Sequence, residues 1–388
     1  MVALLRRGQS LRAVARLHGI ALATVQRWRR RAQGRRLDRA DWTDHATGCR
    51  RPKHRTTQAV EHRVLSVRKE LQQRSDLGEY GAAAIRRTLV ERAGQRSRWR
   101  VPSLRTIGRI LARRGVLDGR RRQRRAAPPR GWFLPDVAAG QVELDSFDIV
   151  EDLRIERGPF VHVLNGISLH GGLCVSWPRR QITAKNTVPS LIEHWRAVGL
   201  PGYVKFDNDT VFQGTHRFAD AFGRVIRLCV SLGVVPVFTP PGEHGFQADI
   251  ENYNGRWQAK VWRRFRFATV AQVVRQSDRF VVACRQRSAS RIEAAPPRRR
   301  FPADWRFNLQ APLRGKVIFL RRTSERGTIR LLGHTWPVSP NWCHRLVRVE
   351  LDLTRGCIRI HGLRRRDPKA QPLLARHAYR VPRKRFQE

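Results

Sequence analysis

The chain has 388 residues, with 78 Lys and Arg against 31 Asp and Glu, a formal net charge of +47 and a pI near 11.8. Such a cation surplus points to a polyanionic partner, because each Lys or Arg beside a phosphate gains from counterion release. With 41% hydrophobic residues the chain can build packed cores, and its length suits roughly two to four domains. No long apolar span or lipidation signal is read, which argues against a membrane surface as the polyanion. Cys49, Cys174, Cys229, Cys284, Cys343 and Cys357 are scattered without a C-x-x-C pair, the pattern of reduced thiols in a cytosolic protein. A secretory leader is not expected, since Gln9, Ser10 and Arg12 break the apolar stretch that would follow Arg6 and Arg7.

Residues 1–33 open the chain with two short helical patterns. Leu11, Val14, Ala15 and Leu17 mark the first, Gly19 ends it, and Ala23, Val25 and Trp28 mark the second. Two short helices joined at a Gly are a helix-turn-helix signature. The second would be the recognition helix, turning Thr24, Gln26, Arg27, Arg29 and Arg30 toward DNA. The plainer reading is a basic helical hairpin of another fold. Residues 34–56 read as a polar, basic linker. Its His45, Cys49 and His54, with His62 beyond, match no structural zinc spacing.

Residues 57–117 read as a second helical module. Val60, Val64, Leu65, Val67 and Leu71 form one helix, residues 78–81 a break, and Ala83, Ile85, Leu89 and Val90 the next. Ser103 is placed to cap a third helix holding Ile107, Ile110 and Leu111. Residues 118–136 are a basic linker rich in Pro and Gly, read as a tether that tracks phosphates without base specificity.

From 140 to 285 the pattern turns to α/β. Residues 141–150 alternate like a strand, and 159–169 with 172–177 read as a hairpin across Gly171 and Gly172. A helix over 187–198, a strand over 203–206, a helix within 216–231 and a strand over 234–238 follow. Together they give a mixed α/β sheet. Residues 286–312 form another basic linker. Short strands at 317–320, 328–332, 346–353 and 357–360 then read as a small β-barrel over 313–388.

Three stretches of the core carry chemistry. An Asp inside the apolar strand 141–150 is costly to bury. The strand over 203–206 ends at Asp207-Asn208-Asp209. Residues 239–262 open on a Pro-Pro-Gly turn and become helical from Asp249, with Glu251 in the first turn and Asn254 on the same face. Carboxylates on strand ends and a helix start, drawn from different segments, form the usual cage for a hard divalent cation. The bland alternatives are a plain Asx turn at 207–208 and an acidic residue favoured by the helix dipole at 251.

In this order, Asp145, then Asp207-Asn208, then Glu251 followed by Asn254-Gly255, the chain resembles the catalytic core of insertion-sequence transposases, relatives of the retroviral integrases in the DDE, integrase-core superfamily. The resemblance implies a multidomain chain: helix-turn-helix modules at 1–33 and 57–117, a central ribonuclease-H-like core at 140–285 and a C-terminal small β-barrel at 313–388. The Leu-Gly-Glu-Tyr-Gly-Ala run at 77–82 is similar to the second helix-turn-helix of the same group. It further implies that Asp145, Asp207 and Glu251 hold two Mg²⁺ ions, with Mn²⁺ able to substitute, for cutting transposon ends and joining the 3′-hydroxyls to target DNA. Double-stranded DNA, both terminal repeats and target, would be the partner, bound by a homo-oligomer at the bacterial nucleoid. Arg256 and Lys260 would contact phosphate, and Asn254 would brace Glu251 or touch the DNA.

The chain departs from the family pattern in three places. Gln247-Ala248 stand where Asn-Gly is usual, Asp209 replaces the Gly after Asp207-Asn208, and the interval from Asp207 to Glu251 is long, with the extra residues expected around 213–227. Glu243 lies nearer the usual spacing and Asp148 is the fallback for Asp145. These departures motivate a rival reading, a DNA-binding protein without catalysis, either a decayed transposase or a repressor of its own element. A simple ribonuclease H would explain the carboxylates but not the helical modules.

Overall fold

The computed structural model describes residues 1–43, 56–93, 99–117, 130–243, 245–365, 367–381 and 386. His45, Cys49 and His54, and residues 118–129 of the expected basic linker, lie outside them. The chain divides into two units, 1–62 and 63–388.

In the first unit, α1 (Val2–Arg6), α2 (Leu11–Leu17) and α3 (Leu22–Arg31) follow in quick succession. The Ser10 hydroxyl accepts the Ala13 N–H at 3.2 Å and so caps α2. Gly19, at φ +61°, makes the turn into α3. Val14 and Ala15 of α2 close over Val25 of α3, with Leu5, Leu11 and Ile20 around them. Trp28 packs with Val2, Ala32 and Ala40, and the Arg31 guanidinium lies 4.7 Å from its ring centre.

Three helices follow, α4 (Gln58–Arg74), most of which lies in the second unit, α5 (Ala82–Ala93) and α6 (Leu104–Arg113). Ser103 caps α6 through the Thr106 N–H. Val64 and Val67, Ile85 and Leu89, and Ile107, Ile110 and Leu111 recur at helical spacing and meet in one buried cluster. After the short α7 (Pro135–Ala138), three antiparallel strands follow: β1 (Leu144–Arg154), β2 (Phe160–Ser168) and β3 (Cys174–Arg179). Next come α8 (Ala184–Val198), β4 (Tyr203–Phe206), α9 (Thr210–Gln213), α10 (Arg224–Ser231), β5 (Val235–Phe238) and α11 (Ala248–Trp257). A π-helical turn over Gln258–Trp262 leads from α11 toward α12 (Val270–Arg287), and α13 (Ala289–Glu293) ends this part. The last strands are β6 (Lys316–Arg322), β7 (Thr328–Leu331), β8 (His334–Pro337), β9 (Leu346–Asp352), β10 (Cys357–Gly362) and β11 (Leu373–Ala378).

Among the described residues the strands form a nine-stranded mixed sheet in the order β11-β10-β9-β6-β5-β4-β1-β2-β3, plus the two-stranded β7-β8. The strands expected as a separate small β-barrel over 313–388 instead mostly continue this sheet. β6 pairs in parallel with β5, and β9, β10 and β11 continue the sheet from it. Val317, Phe319, Val347, Val349 and Ile358 therefore join the cluster that holds Phe147, Phe206 and Trp195. The extended interval after Asp207 is a connection between α9 and α10. Asp220 anchors it on the C-terminal strands, accepting from the Tyr379 hydroxyl at 2.8 Å and meeting His334 Nε2 at 3.0 Å.

The turn between α4 and α5 is docked on the sheet's helices. Lys260 Nζ donates to the Gly78 carbonyl at 3.0 Å, and Arg264 donates to the Ser75, Gln72 and Gln73 carbonyls at the end of α4. Leu77 packs against the cluster of Tyr253, Trp257 and Phe280. Among the described residues no helix is long and apolar enough to cross a membrane, and the described cysteines Cys174, Cys229, Cys284, Cys343 and Cys357 are free thiols.

A chain ending at residue 312 loses β6 and β9–β11 and uncovers the edge of β5 with its buried Val237 and Phe238. We expect that chain to show no cooperative thermal transition by circular dichroism, whereas the full chain melts sharply. A sharp melt of residues 1–312 would mean that the last strands are an appendage and not part of the core.

Candidate active site

The site grows from the alternation of β1. Neighbouring strand residues point to opposite faces of a sheet. Phe147 joins the cluster with Trp195, Val204 and Phe206 on one face, while Val150 joins Tyr253 and Trp257 of α11 on the other. Asp145 goes with Phe147, and Asp148 goes with Val150. Asp145 and Asp148 are three residues apart and cannot share a face.

The environment of Asp145 follows from this. It is buried, accepts from Trp195 Nε1 of α8 at 3.3 Å and is ion-paired with Arg298. Arg298 belongs to the segment after α13 and also donates to the Gly199 carbonyl at 3.0 Å. Burial and the nearby Arg298 push His194, on the same face, down to about 3, so it packs there as a neutral ring. The sequence match favoured Asp145 as the first carboxylate of the site. In the fold, this carboxylate is engaged on the face away from α11.

Asp148 faces α11. Its register partner on β2 is Asn165. Asn165 Nδ2 donates to Asn254 Oδ1 at 2.8 Å, and Asn254 Nδ2 donates to Asp148 Oδ2 at 2.7 Å. Asn254, one turn after Glu251, thus braces Asp148. β4 sets the next carboxylate. Asp145 and Ser146 pair in parallel with Val204 and Lys205, and the same offset carried along β1 brings Asp148 level with Asp207, just past the end of β4.

The start of α11 is fixed by a buried ion pair. Lys205 Nζ meets Asp249 Oδ1 at 2.6 Å and donates to the Phe246 carbonyl at 2.7 Å, while Ser146 donates to the other oxygen of Asp249. Burial pushes the Asp249 carboxyl up, but Lys205 and Ser146 outweigh it and hold the group below its usual range. Anchored there, α11 carries Glu251 on an exposed position and Asn254 on a buried one.

Asp148, Asp207 and Glu251 share an electrostatic environment. Burial pushes Asp148 up to about 6, repulsion from Asp207 and Glu251 adds to it, and the Asn254 bond opposes it. Asp207 is raised by burial and by the charges of Asp209 and Glu151, against the Asp209 N–H that its Oδ1 accepts at 3.0 Å. Among the described residues, none of these three carboxylates is ion-paired to a Lys or Arg. Three carboxylates around them are ion-paired, Asp145 with Arg298, Asp249 with Lys205 and Glu243 with Arg322, whereas Asp209 and Glu151, whose charges act on Asp207, are not ion-paired among the described residues. Among the described residues there is also no group of three His, Cys, Asp or Glu that could hold a metal ion as it stands. Glu251 is felt by Asp148 as a charge, yet its side chain is turned out to solvent.

The other residues singled out in the sequence fall as follows. Asp209 caps α9, accepting the Val211 N–H at 2.7 Å. Arg256 is exposed, 5.7 Å from the Tyr253 ring centre, while Lys260 is taken up by the Gly78 carbonyl. On α3, Arg27, Arg29 and Arg30 are exposed and Thr24 and Gln26 are half-buried. The alternation along β1 was available in the sequence to separate Asp145 from Asp148. The Asn165–Asn254 relay was not, because it joins residues 89 positions apart.

The raised Asp148 has a definite consequence for stability. Its folded-state proton affinity exceeds the unfolded value, so its stabilising contribution is complete below about pH 3.8 and is lost as pH rises through about 6. In metal-free buffer, Asp148→Asn should raise the melting temperature at pH 7.5, and the gain should vanish near pH 4. An equal gain at both pH values would contradict the repulsion described above.

No protein-family model and no curated protein matches the chain. Among solved structures it is similar to a chain of the simian T-cell lymphotropic virus intasome in complex with PP2A regulatory subunit B56 gamma. That match is 14% identical with a TM-score of 0.33, over 72% of this chain and 88% of that one. It is also similar to the HTLV-2 integrase catalytic core domain in complex with magnesium, in trimeric and dimeric forms. Each is 11% identical with a TM-score of 0.26, over 40% of this chain and 85% and 86% of those chains. These are loose likenesses, and the reading of the site rests on its own residues.

Proposed function

We propose that the chain is a divalent-metal-dependent polynucleotidyl transferase acting on double-stranded DNA, and within that class a transposase that cuts the ends of its element and joins the 3′-hydroxyls to target DNA. The observation that carries this reading is the trio Asp148, Asp207 and Glu251, with no Lys or Arg ion-paired to any of them among the described residues of a chain of net charge +47. Where cations are so abundant, neighbouring carboxylates without one are suited to an external cation.

The donor set fits Mg²⁺ or Mn²⁺. All three groups are oxygen ligands; burial raises Asp148 and Asp207, and the repulsion that adds to it, from Asp207 and Glu251 on Asp148 and from Asp209 and Glu151 on Asp207, is the kind a dication relieves. Bound ions supply an activated water or hydroxyl nucleophile and neutralise charge on the attacked phosphate. The chain's own part is positioning. Asp148 is held by Asn254 and Asp207 by the Asp209 N–H, and Glu251, exposed in the first turn of α11, would complete the set with its side chain turned inward. The exposed Arg256, close by on α11, is suited to a DNA phosphate. Arg29 and Arg30 of α3 supply further phosphate or base contacts in the first unit. Asp145 has a structural role through Arg298, and Glu243 is engaged with Arg322. Two ends must be joined together, so a homo-oligomer assembled on DNA belongs to this reading.

The rival, a DNA-binding protein without catalysis, draws on the outward-turned Glu251. A strand-transfer assay separates the two. Protein, a labelled duplex carrying the element's terminal repeat and a target plasmid are incubated with Mg²⁺ or Mn²⁺. Joined product should appear with the native chain and with Glu243→Gln, and fall to the no-enzyme level with Asp148→Asn, Asp207→Asn or Glu251→Gln. Salt-sensitive binding of the repeat with no product under either metal would favour the rival. In the same binding assay, removing Arg29 and Arg30 should make the salt dependence shallower, by about one unit of log K per log salt for each phosphate that is no longer neutralised.

A further inference from the structure

We propose that Arg321, on strand β6, is a positioning residue for the Asp207 carboxylate, acting through Asn208. The inference rests on the reading of Asp207 as a metal ligand.

Arg321 is buried at the end of β6, with its guanidinium 5.2 Å from the ring centre of the buried Phe319. Among the described residues it has no carboxylate partner. Its donors go to three acceptors: Nη1 to the Leu320 carbonyl at 2.8 Å and the Thr239 carbonyl at 3.3 Å, and Nη2 to Asn208 Oδ1 at 3.0 Å. Asn208 closes the circuit, since its Nδ2 donates to the same Thr239 carbonyl at 2.7 Å. Both functional atoms of the Asn208 side chain are therefore committed. Its orientation is set from β6 and from the end of β5.

Asn208 lies between Asp207 and Asp209, and the Asp209 N–H belongs to the peptide that follows Asn208. That N–H donates to Asp207 Oδ1 at 3.0 Å. Fixing Asn208 fixes this peptide plane, and the peptide plane aims the carboxylate. The path runs from guanidinium to amide, from amide to peptide, and from peptide to carboxylate.

A buried cation without a counter-ion is expensive, and burial lowers the guanidinium pKa to about 10, which still leaves it charged at neutral pH. An apolar residue would fill the place without that cost. What Arg offers is a planar fork that reaches Asn208 and Thr239 together, which a single ammonium on a flexible stem does not reproduce. The C-terminal strands thereby reach the turn that carries Asp207, from which they were expected to lie apart.

The test uses the full chain and Mn²⁺ alone as probe, with bound Mn²⁺ read by electron paramagnetic resonance and folding by thermal melting. Asp207→Asn should abolish the tight Mn²⁺ site. Arg321→Lys and Asn208→Ala should each weaken Mn²⁺ binding by about 10- to 100-fold while the melt stays cooperative, the usual loss for an outer-shell partner. The double variant should cost little more than either single one, because both changes cut the same path. Should Arg321→Met fail to fold, Arg321→Lys keeps the charge and Asn208→Ala leaves β6 unaltered, so these two decide the matter. Native Mn²⁺ affinity in both, alongside loss in Asp207→Asn, would overturn the role of Arg321 and leave the site standing. A lowered melting temperature with native affinity would overturn it equally, leaving Arg321 a packing role only. If the native chain binds Mn²⁺ no better than Asp207→Asn, the reading of Asp207 itself falls, and this proposal with it.

Discussion

The buried ion pair between Lys205 and Asp249 is the interaction on which the rest of the site depends. It joins the fourth strand of the sheet to the first turn of α11, and Ser146 of β1 donates into the same carboxylate. Three segments distant in sequence are thereby held at one point. A pair this deep contributes little net stability, since desolvation offsets most of the attraction, but losing either partner strands a buried charge. Its consequence is geometric. With Asp249 fixed, the helix can turn only one way, and Asn254 falls on Asp148 while Glu251 falls on the open side.

The carboxylates near the site then sort by whether a cation answers them. Asp145, Asp249 and Glu243 are answered by Arg298, Lys205 and Arg322, and each of these ion pairs ties one segment of the fold to another. Asp148 on β1, Asp207 past the end of β4 and Glu251 on α11 have no Lys or Arg ion-paired to them among the described residues, as is also true of Asp209 and Glu151, and Glu251 is turned out to solvent. Burial raises the proton affinity of both Asp145 and Asp148, but Arg298 opposes it at Asp145 while Asp207 adds to it at Asp148.

The C-terminal strands alter the meaning of the sheet. β6 continues β5 in parallel, so its last residues arrive at the same end as Thr239 and the Asp207 turn. Arg321 and Arg322 there reach Asn208 and Glu243. The inserted connection around Asp220 docks on Tyr379 and His334. The interval between Asp207 and Glu251 is thus tied to the C-terminal strands through Asp220.

Much of this was legible in the sequence. Period-two alternation marked β1, a short apolar run marked β4, the Pro-Pro-Gly turn and three- and four-residue spacing marked α11, and Ser103 announced the start of α6, because these signals are local and act within a few residues. The types of the chemical groups were also legible: an Asp in the first strand, an Asp at the end of a later one and a Glu in the first turn of a helix. The tertiary structure set the surroundings of the two Asp residues of β1, because Arg298 and Asn254, 153 and 106 residues away, engage opposite faces of one strand. It also decided that the last strands join the sheet. A strand's alternation records which face is buried but not which edge it pairs with, and pairing depends on backbone groups common to every residue.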